Sequence, residues 1–474
     1  MTPLFWLLSV FLAVQTTSSD VFQNFKTDWC RQRKLRVDWT NLLNPCLKDF
    51  NSGSNSYRQS IDGLKTIVEN SKINKLEVRP AGEFSRFFIQ TYTSKNQKKT
   101  IGGDAWRIML IGPSTLSATV FDHNDGTYEA LFLVLEPGKY HVVATLDYTL
   151  CDGLRDPPIE WFQNTHCSGK HRNSSLDSEV FAELKTYINK PIKTKEGLFP
   201  EFDVPWERWN KVEQQNNMRL ANRLCDIKCT VMWDGYGRWV GKNWLPYMNI
   251  TLQDYPKQSP LSKGTSRHAV GKGTFWIYGD SLSYYFYEAL ISDPKRTLCS
   301  KVFKSCSVSY NWIYPKTLYE VKETCDEMVL NVTKVMVFFK NVLNEPTMDA
   351  DSAFLFNAGA HYVKTTSFKT YKTVIQEFVK EIKNSYPGKP VWKTTTAIHQ
   401  QSGDIMGAFR RYTTKHRIKL YNAYANSVMC ANGIPILDVF HLSSSYPEGT
   451  LDGIHYDSVV FTSVYELLES YFSS

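Results

Sequence analysis

The stretch Phe275-Trp-Ile-Tyr-Gly-Asp-Ser-Leu282 decides the fold class of the C-terminal half of the chain. Its apolar start is typical of a short buried strand, and the following residues, Ser283 to Ile291, predict the start of a helix. A serine at such a turn presents its hydroxyl at the carboxyl end of the sheet, where open α/β sheets bind ligands. Its backbone N–H lies at a helix N-terminus and is well placed to stabilise an oxyanion. Ser281 is therefore a candidate nucleophile.

Strand-like and helix-like segments alternate around this turn from about Cys225 to the end of the chain. Further strands are predicted at Ser352–Phe356, Val391–Thr395 and Pro435–Phe440, and helices at Thr370–Asn384, Arg417–Ala431 and Ser458–Phe472. Such alternation predicts a parallel sheet with helices on both faces. We expect a three-layer α/β/α domain over residues 225–474.

A candidate base pair follows near the end of the chain, at Asp452-Gly-Ile-His455. A tight turn at Gly453 aims both side chains at one pocket, where His455 can accept the Ser281 proton and Asp452 can fix the histidine tautomer. A second motif with the same spacing, Asp438-Val-Phe-His441, lies at the end of an apolar strand. Side chains three residues apart on a strand point to opposite faces, so we interpret that motif as structural.

A third block, Phe354-Leu-Phe-Asn-Ala-Gly-Ala-His361, predicts a strand that ends in asparagine and glycine. Asn357 is suited to donate a side-chain hydrogen bond to an oxyanion, although such a residue equally well caps a loop. His399 is a candidate for lining the substrate pocket and Trp239 for stacking on sugar rings. The alternatives are a hydrogen-bonded structural histidine and an aromatic side chain packed at a domain junction.

Residues 73–151 contain six or seven strand-like runs separated by glycine-containing turns, which predicts an immunoglobulin-like β-sandwich. The turn Asp122-His-Asn-Asp-Gly-Thr-Tyr128, followed by Pro137-Gly, resembles that of filamin-type repeats. Asp122 and Asp125 are interpreted as turn formers, with calcium ligation as the alternative. Residues 20–72 form an N-terminal segment and residues 152–224 a connector.

Residues 1–19 have the pattern of a signal peptide, with a signal anchor in the Golgi as the alternative. The chain has 10 cysteines, which are expected to form disulfides in an oxidising compartment. A zinc site at Cys225 and Cys229 is disfavoured because no second ligand pair lies nearby. Glycosylation sequons begin at Asn173, Asn249 and Asn331. These features predict a secreted or Golgi-lumenal glycoprotein.

The serine, asparagine and Asp-x-x-His blocks, in this order, resemble the SGNH (GDSL) hydrolase superfamily, and most closely the neurexophilin and PC-esterase domain family. Supporting stretches are Gly102–Asp104, Asn124–Tyr128, Trp233–Trp239, Asn422–Asn426 and Leu451–His455. The resemblance implies a filamin-like sandwich before an SGNH domain, a triad of Ser281, Asp452 and His455, and an oxyanion hole formed by the Ser281 N–H and Asn357. SGNH enzymes usually add a glycine N–H to this hole, but no glycine occurs from Leu282 to Ala358. An N–H within Ser307–Asn311 is a candidate replacement.

The resemblance further implies serine-dependent acyl transfer, most simply of acetyl groups, to or from hydroxyls of glycans such as sialic acids on glycoproteins. Hydrolysis requires no cofactor, whereas transfer would use a donor such as acetyl-CoA. The alternative is a secreted neurexophilin-like binding protein whose esterase-like domain is an inactive scaffold. The net charge of +8 does not indicate a nucleic-acid partner, because the basic residues are scattered.

Overall fold

The structure is a computed structural model that describes residues 20–47, 62–157, 185–227, 229–248, 270–314, 330–399 and 411–473. The signal-peptide prediction for residues 1–19 lies outside these ranges. Within them, no helix combines the length and apolar character needed to cross a membrane.

Sixteen strands are present in the described part of the chain. They are β1 (Lys72–Glu77), β2 (Phe84–Gln90), β3 (Ala105–Ile111), β4 (Thr115–Ser117), β5 (Thr119–Asp122), β6 (Thr127–Leu133), β7 (Gly138–Tyr148), β8 (Lys190–Pro191), β9 (Glu201–Val204), β10 (Gly237–Val240), β11 (Asn243–Pro246), β12 (Thr274–Gly279), β13 (Ser305–Tyr310), β14 (Ala353–Phe356), β15 (Lys389–Lys393) and β16 (Ile436–Leu437).

The α-helices of the described residues are α1 (20–34), α2 (Trp39–Leu43), α3 (Lys211–Leu224), α4 (Ser281–Ser292), α5 (Val332–Leu343), α6 (Ala360–Thr365), α7 (Phe368–Ser385), α8 (Lys415–Ala431), α9 (Phe440–Ser444) and α10 (Thr462–Ser473). Short 3-10 or π turns lie at Asn44–Cys46, Asp62–Leu64, Leu298–Val302 and Ser458–Phe461.

The N-terminal half forms two antiparallel sheets packed face to face. One sheet has the order β1-β2-β6-β5, and the other has the order β11-β10-β4-β3-β7-β8, with β9 also paired to β7. Alternate residues point inward, so that Phe87 and Ile89 from one sheet and Trp106, Ile108 and Leu110 from the other join a single core. This is the β-sandwich expected from the sequence.

The sandwich sheet also takes in strands from beyond the predicted range 73–151. Strands β8 and β9 come from the predicted connector, and the β10–β11 hairpin comes from the predicted C-terminal domain. The hairpin joins through the pairing of Trp239 with Thr115. Burial of the Trp239 and Trp244 side chains at this junction explains why it packs there.

The carboxylates at the sandwich turn hold backbone N–H groups. Asp122 accepts hydrogen bonds from Gly103 (2.7 Å) and Asn124 (2.8 Å), and Asp125 accepts one from Thr127 (2.9 Å). These contacts are typical of turn-forming residues, the interpretation that the sequence favours over calcium ligation.

The C-terminal half contains a five-stranded, all-parallel sheet of order β13-β12-β14-β15-β16. Alternate residues of β14 face opposite layers: Phe354 and Phe356 pack against α5, α7 and α8, whereas Ala353 and Leu355 pack against α4 and α10. The α/β/α fold after a β-sandwich is thus confirmed. The strand order reverses between β12 and β14, and the carboxyl end of such a switch point is the usual ligand site of open α/β sheets.

The N-terminal helices and the disulfides tie the two halves together. Arg33 of α1 pairs with Asp234, and the Arg36 Nε lies 2.9 Å from Asp438 of the C-terminal domain. The described disulfides are Cys30–Cys225, Cys46–Cys151, Cys229–Cys430 and Cys299–Cys306. Because Cys225 and Cys229 belong to different disulfides, their thiolates are not available to share a zinc ion.

Candidate active site

The turn that carries Ser281 is built by its neighbours. Asp280 is the N-cap of α4, and its side chain accepts a hydrogen bond from the Leu282 N–H at 3.1 Å. Gly279 has no room for a side chain, since an added Cβ would lie 2.3 Å from the Ser283 Oγ. Strand, cap and helix therefore place the Ser281 hydroxyl at the carboxyl end of β12.

Ser281, His455 and Asp452 form one continuous hydrogen-bonded chain. The His455 Nε2 lies 2.8 Å from the Ser281 Oγ, and the His455 Nδ1 lies 2.8 Å from the Asp452 Oδ2. The other Asp452 oxygen accepts the backbone N–H groups of Ile454 (3.0 Å) and His455 (2.8 Å). Gly453 has a φ of +91°, which favours glycine. The sequence-derived nucleophile and base pair thus lie together.

The environment of Asp452 keeps it ionised. Burial by itself raises the pKa of this carboxyl, but the hydrogen bonds from the His455 and Ile454 N–H groups and from the His455 side chain outweigh that effect and lower it to about 2. An ionised Asp452 favours the tautomer that carries its proton on Nδ1, which leaves the Nε2 lone pair for the Ser281 proton. The arrangement suits serine-based nucleophilic catalysis.

Tyr285 is a neighbour of this triad that the sequence analysis missed. Its ring centroid lies 4.8 Å from that of His455. The sequence spacing could have indicated this residue, because Tyr285 is four positions after Ser281 and so lies on the same face of α4. The tyrosine packs against the imidazole and restricts its orientation.

The predicted oxyanion hole is only partly formed. The Ser281 N–H lies in the first turn of α4, where backbone N–H groups have no intrahelical acceptor. The Asn357 amide nitrogen, by contrast, donates to the Lys393 carbonyl (2.8 Å) and to the Thr395 hydroxyl (3.1 Å). Both amide hydrogens are engaged, so Asn357 presents no free donor to a substrate in this arrangement.

The candidate replacement near Asn311 is also engaged. The Asn311 N–H donates to the Gly279 carbonyl at 2.7 Å, which fixes the end of β12 against the end of β13. The carboxylate of Asp280 accepts the His361 N–H at 3.3 Å. These bonds stabilise the turn around Ser281. The backbone N–H of Ser281 is then the available first donor of the predicted oxyanion hole.

A buried lysine lies beneath the turn. The Lys393 side chain has no hydrogen-bond partner in the part of the chain that the structure describes. Burial lowers its pKa to about 8, while the negative charge of Asp280 acts in the opposite direction. Lys393 therefore adds positive potential under the Ser281 turn.

His399 lies beside the loop that carries Asp452 and His455. Its backbone N–H donates to the Gly453 carbonyl at 3.0 Å, and its ring stands edge-on to Tyr456 at 5.9 Å. Burial, helped by the charges of Lys415 and Arg107, lowers its pKa to about 3. His399 thus contacts the loop through its backbone N–H, and its imidazole is neutral.

Trp239 does not line the site, contrary to the prediction. It is only 1% exposed, packs between Trp244 and Tyr446, and donates its indole N–H to the Leu442 carbonyl at 3.0 Å. A buried indole offers no face for a sugar ring. The alternative interpretation, packing at the domain junction, is correct.

The competing Asp-x-x-His motif is built into the domain interface. Asp438 is buried and accepts hydrogen bonds from Arg36 (2.9 Å) and Thr394 (3.2 Å). The His441 ring stacks on Tyr236 at 3.9 Å, and burial lowers its pKa to about 3. Neither side chain contacts Ser281, so this motif is structural.

Of the three sequons, Asn173 and Asn249 lie outside the described residues. Asn331 is exposed and caps α5, with its side-chain oxygen accepting the Lys334 N–H at 3.0 Å. The amide nitrogen, to which a glycan would attach, is not used in that cap.

No protein-family model and no curated protein matches the chain. Solved structures to which it is similar include the Lin-41 filamin domain, with 14% identity over 17% of this chain and 80% of that one, at a TM-score of 0.15. A lipase/acylhydrolase from Enterococcus faecalis is 14% identical over 41% of this chain and 93% of that one, at a TM-score of 0.27. A catalytic mutant of Axe2, an acetylxylan esterase from Geobacillus stearothermophilus, is 9% identical over 43% and 94%, at a TM-score of 0.25. At such values we base no functional conclusion on these similarities.

Proposed function

We propose that the chain is a serine-dependent acyltransferase or esterase of the neurexophilin and PC-esterase type. In this proposal it moves an acyl group, most simply acetyl, to or from glycan hydroxyls in the secretory pathway. The observation that carries the proposal is the chain of two 2.8 Å hydrogen bonds from Ser281 through His455 to Asp452.

The first half-reaction follows from this geometry. His455 Nε2 takes the proton of the Ser281 hydroxyl while the Ser281 Oγ attacks the acyl carbonyl carbon. The Ser281 N–H, at the positive end of α4, faces the developing oxyanion. The protonated His455 then donates its proton to the leaving group, and an acyl-Ser281 remains.

The acceptor decides between hydrolysis and transfer. Water attacking acyl-Ser281, with His455 again as base, gives an esterase, whereas a sugar hydroxyl gives a transferase. We favour transfer to sugar hydroxyls such as those of sialic acids, with acetyl-CoA as the candidate donor. The sequence-based expectation of secretion or Golgi localisation supports a glycan substrate, and the disulfides are compatible with an oxidising compartment.

An acetylation assay in cells tests this proposal. Cells that express the wild-type chain should show more O-acetyl groups on surface or secreted glycans than cells that express Ser281→Ala. Ser283→Ala is a matched control, because this buried hydroxyl on the same helix has no hydrogen-bond partner within the described residues. A decrease in O-acetylation with the wild-type chain would indicate an esterase, and identical levels with all three chains would contradict the enzymatic proposal.

A second candidate function is a secreted binding protein on an inactive esterase-like scaffold. The engagement of both Asn357 amide hydrogens favours it, since an oxyanion hole with a single donor is weakened by about 3–4 kcal/mol. An intact hydrogen-bonded triad favours the enzyme. A binding protein would leave glycan acetylation unchanged and would not form an acyl-Ser281.

A further inference from the structure

A cavity of about 120 Å³ lies between the sandwich and the C-terminal domain, away from the Ser281 turn. Sandwich residues such as Trp106 and Ile108 form one wall, and Leu42 and Pro45 of the N-terminal segment form another. An engineered cavity of about 150 Å³ accommodates benzene, so this space is large enough for a small ion or a carboxyl group.

Three basic side chains from the first turns of α8 form a further wall. Lys415, His416 and Lys419 all line the cavity. The Lys415 Nζ donates to the Ser444 carbonyl at 3.3 Å, whereas Lys419 makes no ion pair within the described residues. His416 donates its ring N–H to the Trp106 carbonyl, and burial lowers its pKa to about 4, so the neutral ring presents its buried Nδ1 only as an acceptor. The wall therefore carries two cationic groups, Lys415 and Lys419, whereas His416 has no donor left for an anion.

Two of the three nearby carboxylates are already paired with other cations, and burial raises the pKa of the third, Asp122, to about 6. Asp104 binds Lys99 at 2.8 Å, Asp147 binds Arg107 at 3.1 Å, and Asp122 accepts backbone N–H groups. Burial lowers the pKa of Lys415 to about 7 and that of Lys419 to about 8. Bringing an anion into the cavity would offset this destabilisation of the charged lysines.

The helix itself adds positive potential. Helix α8 has 17 residues and is capped by Thr414, and its N-terminal turn carries Lys415 and His416. The first backbone N–H groups and the macrodipole favour negative charge at this end. The lysine side chains, the N-terminus of α8 and the size of the cavity thus all favour a small anion.

We propose that this interdomain cavity is a binding site for a small oxyanion, a carboxylate, sulfate or phosphate group, held by Lys415 and Lys419. The site is independent of the proposed acyl chemistry at Ser281.

Calorimetric titration of the full chain with sodium acetate, sodium sulfate and sodium phosphate, each at ionic strength matched with sodium chloride, tests the proposal. At least one of the three should bind saturably with one site per chain, and the anion that binds identifies the group. Lys419→Met, which keeps the side-chain length and helix propensity, should weaken that binding at least tenfold. Lys419→Arg should retain it, and Lys242→Met, at an exposed lysine with a 77% accessible side chain, should bind as the wild type does.

Absence of saturable binding of all three anions to the wild-type chain would overturn the proposal. So would equal affinity of Lys419→Met and the wild type, which would place the anion elsewhere, for example in the Ser281 pocket. If Lys419→Met fails to fold, Lys415→Met provides the same comparison.

Binding should also depend on pH. The titratable groups that line the cavity or face its lysines are Asp104, Asp122, Arg107 and Asp147 of the sandwich, and His399, His416 and His441 of the C-terminal domain. The histidines titrate well below neutrality, because burial lowers the pKa of His416 to about 4 and those of the other two to about 3. Between pH 6.5 and 9 the lysines lose charge, and Asp122, whose pKa burial raises to about 6, completes its ionisation, so both changes disfavour a bound anion at high pH. A bound anion raises the pKa of the lysines, so affinity is full below about pH 7 and is lost as the pH rises.

Sulfate, whose charge is constant over this range, should bind several-fold more tightly at pH 6.5 than at pH 9. Equal affinity at the two pH values would contradict the site.

Discussion

At the scale of single residues, Ser281 and His455 act as one unit in the proposed mechanism, since the proton of one must reach the other. Replacing His455 by alanine should reduce ester turnover about as far as Ser281→Ala, because losses within a triad do not add. The double variant should be scarcely worse than either single one. Initial rates with an aryl acetate, measured on folded protein, provide the comparison.

His441→Ala is the control for this prediction, because His441 shares the Asp-x-x-His spacing but stacks on Tyr236. It should affect stability and leave the rate of the folded protein close to that of the wild type. Lost activity in His441→Ala together with an active His455→Ala would reverse the assignment of the base.

Asp452→Asn should reduce kcat/KM on the order of 10⁴-fold, the size expected when the orienting carboxylate of a triad becomes an amide. The variant keeps an oxygen for the backbone N–H groups of Ile454 and His455, so the loop should stay folded.

The pKa of Asp452 is lowered, so the stabilising contribution of its carboxylate is present above about pH 4 and is lost as the pH falls towards 2. The melting temperatures of variant and wild type should therefore converge in acid, and a difference that grows in acid would contradict this role.

The candidate site was partly predictable from the sequence. Ser281, Asp452 and His455 follow from local patterns, a strand-to-helix turn and a glycine-containing loop, so short-range rules suffice to find them. Asn357 and Trp239 depend on tertiary contacts: the first partner of the Asn357 amide lies at the end of β15, and Trp239 contacts Leu442 and Tyr446, which are more than 200 residues away. No local pattern contains that information.

At the scale of elements, the junction between α1–α2 and the end of β16 depends on a buried ion pair. The Arg36 and Asp438 side chains are 7% and 3% exposed. Asp438→Ala should destabilise the protein by roughly 3–5 kcal/mol, because it leaves buried Arg36 with one carboxylate fewer. Thermal unfolding measures this, with Asp203→Ala on exposed β9 as the control. A loss no greater than that of Asp203→Ala would show that the pair does not stabilise the junction.

Local patterns predict some element bounds better than others. The apolar period over 370–384 predicts α7, which extends to Phe368–Ser385 because Ser367 caps it. The last strand was predicted as Pro435–Phe440, but only Ile436–Leu437 pairs with the sheet. Asp438 accepts the Phe440 N–H at 3.2 Å and starts α9, and this side-chain bond competes with strand pairing.

At the scale of the whole molecule, disulfides join segments that are distant in sequence. Cys46–Cys151 spans 105 residues and links the N-terminal segment to the sandwich, whereas Cys299–Cys306 spans 7. Replacing Cys46 and Cys151 by serine should cost about 2–5 kcal/mol, and the Cys299/Cys306 double variant should cost less, because a short loop restricts the unfolded chain less. Melting temperatures measured without reductant show which of the two double variants is destabilised more. The reverse order would argue against a stabilising role for the Cys46–Cys151 disulfide.

The arrangement of the two halves could not be predicted from their own patterns. Each half follows from local periodicity, but the β10–β11 hairpin crosses to the sandwich and α1 spans both halves. Such long-range pairing depends on shape and burial across the interface, and alternation of apolar residues in a strand does not specify its neighbour.

The central claim is that Ser281 is an activated nucleophile, and labelling of the purified chain with a fluorophosphonate probe tests it most directly. The probe reacts with a serine whose proton is removed by a neighbouring base, as the 2.8 Å contact between His455 Nε2 and Ser281 Oγ implies. The account predicts labelling of the wild type at Ser281, none in Ser281→Ala, strongly reduced labelling in His455→Ala and unchanged labelling in Ser283→Ala. Failure of the folded wild-type chain to label, or equal labelling of Ser281→Ala, would contradict it.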